Sequence, residues 1–170
     1  MARLAGKKTI NQKEMKQTIN LNRYLGKDAT EAQRIMFAEL AVEQINQRTL
    51  DGKTIHNGKF KKYTKEYADL KGVSRDSVDL FLEGDMLDSV GADVNGSNVD
   101  IELDPDETPK GYNHQVGDTL PKRPWFGLTT AEARTIAETV KETLPEQQQS
   151  RFTLADLRNA LSVLGIEQDG

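Results

Sequence analysis

Ala92-Asp-Val-Asn-Gly-Ser-Asn-Val-Asp-Ile-Glu-Leu103 carries the clearest structural signal in this chain. Ala92 and Val94 flank Asp93, and Val99, Ile101 and Leu103 alternate with Asp100 and Glu102. A period of two puts successive side chains on opposite faces of a strand, so one face is apolar and the other acidic. Asn95-Gly96-Ser97-Asn98 between the runs reads as a tight turn, giving an antiparallel hairpin over about residues 90–104. Such a sheet is covered on one side only.

Two stretches outside the hairpin supply the cover. Thr30-Glu-Ala-Gln33 reads as a capping box, followed by Met36, Phe37, Leu40, Ala41 and Ile45 at helical spacing, with Ile35 and Val42 widening the stripe. Thr129-Thr-Ala-Glu132 is a second box, opening a helix with Ala133, Ile136, Ala137, Val140 and Leu144 on one face before Pro145. The fold class is therefore α+β: a small antiparallel sheet packed against two main amphipathic helices, about 30–47 and 130–144.

Outward from this core the signals thin. Residues 1–27 show no sustained period and read as an N-terminal arm with at most one short helix. Residues 51–62 read as a long loop, and Tyr63 to Lys71 as a short helix with Tyr63, Tyr67 and Leu70 on one side. Phe81, Leu82, Met86, Leu87 and Val90 form a local apolar cluster entering the hairpin, and 104–109 reads as a polar loop. Gln147-Gln-Gln-Ser150 is a linker to a final helix from Thr153, with Leu154, Leu157, Leu161 and Leu164 in one seam and Gly165 as its cap. The organisation expected is a 1–27 arm, a 28–146 core domain, and a 147–170 linker and C-terminal helix. The leucine seam is open to two readings, cover for the chain's own core or a surface docked on a neighbour.

Charge is segregated. No Lys or Arg occurs from Asp76 to Thr108, while Asp76, Asp79, Glu83, Asp85, Asp88, Asp93, Asp100, Glu102, Asp104, Asp106 and Glu107 are acidic. The preceding stretch is basic through Lys53, Lys59, Lys61, Lys62, Lys65 and Lys71, and the N-terminal arm through Arg3, Lys7, Lys8, Lys13 and Lys16. Three readings stand: solvated surface, steering between a basic block on one copy and the acidic block of the next, or an acidic wall that keeps duplex DNA from sticking. Only 36% of residues are apolar and mean hydropathy is −0.66. Both point to a small core with segments that order against a partner.

Nothing in the chain assembles a reaction centre. There is no cysteine, and His56 and His114 lie in separate loop-like segments without ligand spacing. Asp104, Asp106 and Glu107 lack the glycine and final glutamate of a calcium loop. No phosphate-binding glycine loop or nucleophile elbow appears. The reading is a non-enzyme, with no catalytic, cofactor or metal residue assigned. No apolar run nears the roughly 20 residues of a membrane span, and the basic N-terminus lacks the apolar stretch of a signal peptide. Synthesis and solubility in a cytoplasm are expected.

Gly84-Asp-Met-Leu-Asp-Ser89 resembles the Gly-x-Met/Leu-x-x-Ser element of phage virion-morphogenesis and tail-completion proteins. Tyr112-Asn-His-Gln-Val-Gly117, followed by Pro121-Lys-Arg-Pro-Trp-Phe-Gly-Leu128, resembles that family's Tyr-x-x-His-Gln-x-Gly and Arg-Pro-Phe-Leu-Gly-Leu elements, with Trp125-Phe126 where Phe-Leu is usual. Tyr63 through Lys71 is similar to the family's loop before the Gly-x-Met element. The likeness spans roughly residues 30–145 and omits the basic N-terminus and the helix from Thr153. It implies a structural virion subunit of the neck, a head–tail connector, tail-completion or tail-terminator protein. Such a subunit forms a homo-oligomeric ring, a hexamer to match a tail, against neighbouring neck, connector or tail proteins, with double-stranded DNA passing through unbound.

On that reading the subunit-interface candidates are Tyr63, Tyr67, Tyr112, Arg123, Trp125, Leu157 and Leu161, since Trp, Tyr and Arg anchor interfaces most often. Trp125 and Phe126 have a competing reading, as a plug between sheet and helix. Asp100, Glu102, Asp104 and Asp106 are the candidates for an acidic lumen or interface. The alternative function is a small nucleic-acid-binding regulator using the basic N-terminal arm.

Overall fold

Capping decides where the two long helices begin. In the computed structural model, which describes residues 2–80, 84–145 and 151–166, the Thr30 hydroxyl accepts from the Gln33 N–H while the Gln33 side chain accepts from the Thr30 N–H. Thr129 and Glu132 make the same reciprocal pair. Each box satisfies two N–H groups that a helix start leaves orphaned, and its loss costs about 1 kcal/mol.

In chain order the elements are β1 (Lys7–Ile10), β2 (Met15–Asn20), α1 (Asn22–Leu25), α2 (Glu31–Leu50), α3 (Lys65–Lys71), α4 (Asp85–Asp88), β3 (Val90–Asn95), β4 (Asn98–Leu103), α5 (Thr108–Val116), α6 (Thr130–Thr143) and α7 (Leu154–Val163). The strands form one antiparallel sheet in the order β1-β2-β4-β3. The expected hairpin is β3–β4, closed on Asn95 and Asn98. Gly96 stands at φ 59°, which glycine adopts without strain at the first central position of a type II′ turn.

Three expectations are corrected. Residues 7–20, read as part of an arm, are two strands of the sheet. Met15, Gln17 and Ile19 alternate inward and are fully buried, so the period of two was present with a glutamine at its centre. Residues 104–117 hold a nine-residue helix, α5, begun at Thr108-Pro109 and ended by Gly117. Leu70, expected beside Tyr63 and Tyr67, is 79% exposed. Within the apolar cluster entering the hairpin, Phe81 and Leu82 lie outside the described residues, as does the 147–150 linker.

One face of the sheet, with Met15, Ile19, Val99, Ile101 and Leu103, packs under α2 and α5; α6 packs on α2, and α7 packs on α6 and α2. A single apolar core runs from Ala5 through Ile166. The expectation of a small core fringed by loose segments is therefore revised. The chain is poor in apolar residues partly because polar side chains also fill its interior: Gln17, Gln33, Arg48 and Arg123 are buried. Gly111 marks a close approach of α5 to this core, since a Cβ there would lie 2.5 Å from Leu103 Cδ2 and 3.1 Å from Trp125 Cζ2.

Candidate functional site

The segment Arg123–Leu128 runs between sheet and helices with its backbone held by side chains from four elements. Gln115 of α5 accepts from the N–H groups of Trp125 (3.1 Å) and Phe126 (3.0 Å). Arg48, near the end of α2, donates to the carbonyls of Trp125 (2.6 Å) and Gly127 (2.8 Å), and to both carboxylate oxygens of Glu132 at 2.7 Å. Gln17 of β2 donates to the carbonyls of Ala5 (2.6 Å) and Leu128 (2.9 Å) and accepts from the Leu128 N–H (2.8 Å). Lys8 of β1 donates to the Phe126 carbonyl and sits 5.5 Å from that ring's centroid. Burial, then the Arg48 charge, pushes the Lys8 ammonium down to about 8. Apart from the Arg48–Glu132 pair, these donors and acceptors are committed to backbone. Each offsets the desolvation of a buried peptide group, which left unpaired costs about 1–3 kcal/mol.

A second polar cluster closes the other end of this segment. The Arg123 N–H donates to the His114 carbonyl (2.7 Å), and its guanidinium donates to the carbonyls of Lys61 (2.9 Å) and Lys62 (3.1 Å) while lying 5.3 Å from the Tyr63 ring centroid. Tyr63 stacks edge-on against Tyr67 at 4.7 Å, and its hydroxyl accepts from Lys71 (3.1 Å). Lys71 is also paired with Asp79.

Beside this cluster, His114 is pushed down to about 4 by burial and by the charges of Arg123, Lys110 and Lys71. Its imidazole is neutral in the folded state at pH 5–7, whereas the unfolded chain takes up a proton near pH 6.5. Stability is therefore lost as pH falls from about 6.5 towards 4, by about 2–3 kcal/mol. His114→Asn removes this part of the acid sensitivity, read as urea midpoints of both proteins at pH 7 and 4.5. Parallel losses in the two proteins would refute the assignment.

The interface candidates divide by burial. Trp125 is fully buried, Arg123 and Tyr63 are each 3% exposed, and Leu161 is buried against the chain's own core. Within the chain all four are covered: Arg123 staples the 61–62 backbone to α5, and the Trp125 indole is bonded to Gly111 of α5. Tyr67, Tyr112 and Leu157 are half-buried at the margin of the same core. Of the leucine seam, Leu154 is largely exposed, Leu157 and Leu164 are half-buried and Leu161 is buried.

Among the acidic candidates, Asp100 is internally satisfied. The Thr18 hydroxyl (2.6 Å), the Asn95 amide (2.8 Å) and Lys16 (3.5 Å) hold its carboxyl below the usual range. It is buried in the single chain. Glu102 stands opposite Lys16 in register and is half-buried. Asp104 and Asp106 are exposed in the turn before α5, where Asp104 Oδ1 accepts from the Asp106 N–H. Across the outer face of the sheet the charge is graded. Lys7 and Lys16 lie on the β1–β2 side, Asp93 and Asp100 on the β4–β3 side.

Sequence reasoning missed Gln17, Arg48 and Glu132 as the residues that organise the interior. Their signal was positional: Gln17 sits in the inward row of β2, and Arg48 follows Ile45 by three on the buried face of α2. Among the described residues, no three His, Asp or Glu side chains stand close enough to hold a metal ion, and no helix is long and apolar enough to cross a membrane. Comparison with protein-family models, with curated proteins and with solved structures finds no significant match.

Proposed function

We propose that this chain is a non-enzymatic virion protein of a tailed phage, a neck or tail-completion subunit that assembles into a homo-oligomeric ring. The observation that carries this reading is the interlock of the segments in which the resemblance resides. Gln115 and Gly111 of α5 bond the backbone and indole of Trp125, and His114 bonds the backbone of Arg123. Residues that look like a family pattern thus serve one another, and their role is architectural. The chemistry points the same way. Gln17, Gln33, Gln115 and Arg123, gathered inside, are spent mainly on peptide groups, while the charge left outside is sorted into a basic and an acidic side. Complementary patches of that kind set partner choice and register.

Size-exclusion chromatography with light scattering, followed by negative-stain imaging, tests the reading. The expected result is a sixfold ring of about 114 kDa, six copies of the 19.0 kDa chain, alone or with a neighbouring neck protein. A chain that stays monomeric at every concentration, joins no virion assembly and binds duplex DNA with a steep salt dependence would instead support the nucleic-acid-binding regulator.

A further inference from the structure

We infer that the free edge of β3 receives β1 of a second copy of this chain, so that successive subunits join their sheets edge to edge, head to tail. This inference rests on the ring reading above and names the surface through which the ring closes.

The hydrogen-bond phase of the two edges matches. In the first hairpin, Asn11 and Glu14 exchange backbone bonds (2.9 and 3.3 Å). Bonded and non-bonded pairs alternate along an antiparallel ladder. Thr9 and Lys7 therefore bond back to β2, and the peptide groups of Lys8 and Ile10 point away from the sheet. In the second hairpin the two-residue loop closes on Asn95 and Asn98. Asp93 and Gly91 then bond back to β4, and the peptide groups of Val90, Ala92 and Val94 point outward. Among the described residues, no backbone group bonds to either outward set. Both sets carry side chains on the core-facing side, so joining them keeps the inner face inner.

Strand direction matches as well. Four strands, each antiparallel to the next, leave the two edge strands running in opposite senses. A neighbour added in the same orientation presents β1 antiparallel to β3. An odd number of strands would fail on both counts.

Charge then selects this joint over its rivals. The β3 edge carries Asp93, and the α2 surface beside it carries Glu31 and Glu39; the one cation lining that groove, Arg34, is bonded to the Gly96 carbonyl at 3.0 Å. The β1 edge carries Lys7, with Lys16 in the next strand. Two β3 edges would oppose acids and two β1 edges would oppose lysines, whereas β1 on β3 pairs unlike charges. Penalising the like pairings is how an interface excludes the wrong partner. A heterologous contact of this kind closes into a ring when its rotation permits. There is also space to fill. The groove of about 540 Å³ between α2 and β3 leaves Ala92 and Val94 half-covered and Ile35 38% exposed. An incoming β1 brings Ile10, whose side chain faces the same side. Lysines and the four-residue length of β1 limit pairing with unrelated edges.

The chain has no cysteine, so disulfide trapping reads the joint directly. Lys7→Cys with Asp93→Cys, and Thr9→Cys with Asp93→Cys, cover the two registers that place Asp93 opposite an outer-face residue of β1. Under mild oxidation of the full chain, one double variant is expected to give a ladder of covalent multimers on a non-reducing gel, while single variants stop at dimers. Separately, Ala92→Pro removes an N–H that points outward and spares the β4 ladder, as edge prolines do. It is expected to raise the concentration needed for assembly at least tenfold with the monomer's melting temperature little changed. Rings that form equally well in Ala92→Pro, with no ladder from either double variant, overturn the edge joint and leave the ring reading standing. A wild-type chain that never assembles overturns both.

Discussion

Arg48→Met is expected to lower the stability of this protein by about 3 kcal/mol, near the lower end of the range for breaking a buried ion pair. The guanidinium makes four hydrogen bonds from a 4% exposed side chain, two to Glu132 and two to the carbonyls of Trp125 and Gly127. Methionine fills similar volume but leaves the Glu132 charge without its cation and both carbonyls without these donors. The lower end applies because Glu132 keeps 20% of its side chain in water and retains the bond from the Thr129 N–H. For a chain of this length that loss corresponds to a fall of roughly 10 °C in melting temperature. Arg48→Lys keeps the charge but cannot span the fork from carboxylate to two carbonyls, so it should recover only part of the loss. Thermal unfolding of the three proteins followed by circular dichroism decides the matter. Equal stability of Arg48→Met and wild type would mean the network contributes nothing net.

That network explains which parts of the fold could be read from the sequence. The capping boxes at Thr30 and Thr129 and the hairpin at Asn95–Asn98 are local, each complete within a few residues, and local chemistry fixed them. The first two strands were obscured because the inward row of β2 has glutamine at its centre. The use of Gln17 becomes visible only when Leu128, 111 residues away, is brought against it. Helix α5 had a local signature that went unread, proline at its start and glycine after its end. The candidate site divides the same way. Composition identified Arg123 and Trp125 as residue types that anchor contacts, and they are anchors. Whether an anchor faces a neighbour or its own core depends on long-range packing, which no spacing rule encodes. Segregation of charge, by contrast, was legible: the basic N-terminal block and acidic hairpin occupy opposite halves of one sheet because the strand order β1-β2-β4-β3 places them there.

The role of Trp125 separates an interior anchor from an interface anchor by experiment. It is the only tryptophan, it is fully buried, its Nε1–H donates to the Gly111 carbonyl at 3.1 Å, and its ring meets Phe126 edge-on at 5.7 Å. Trp125→Ala is expected to destabilise the monomer by about 3–5 kcal/mol, the usual cost of emptying a large aromatic site in a core. Trp125→Phe keeps most of the apolar area and loses the indole donor, and about 1–2 kcal/mol is expected, because the Gly111 carbonyl still accepts within α5. The graded series reports on packing, with urea unfolding of dilute protein as the readout. An interface anchor would behave in the opposite way: the isolated chain would keep its unfolding midpoint while assembly failed. An unchanged midpoint for Trp125→Ala in dilute monomer would return this residue to the subunit interface and remove the interlock of α5 with Arg123–Leu128 from the case for an architectural protein.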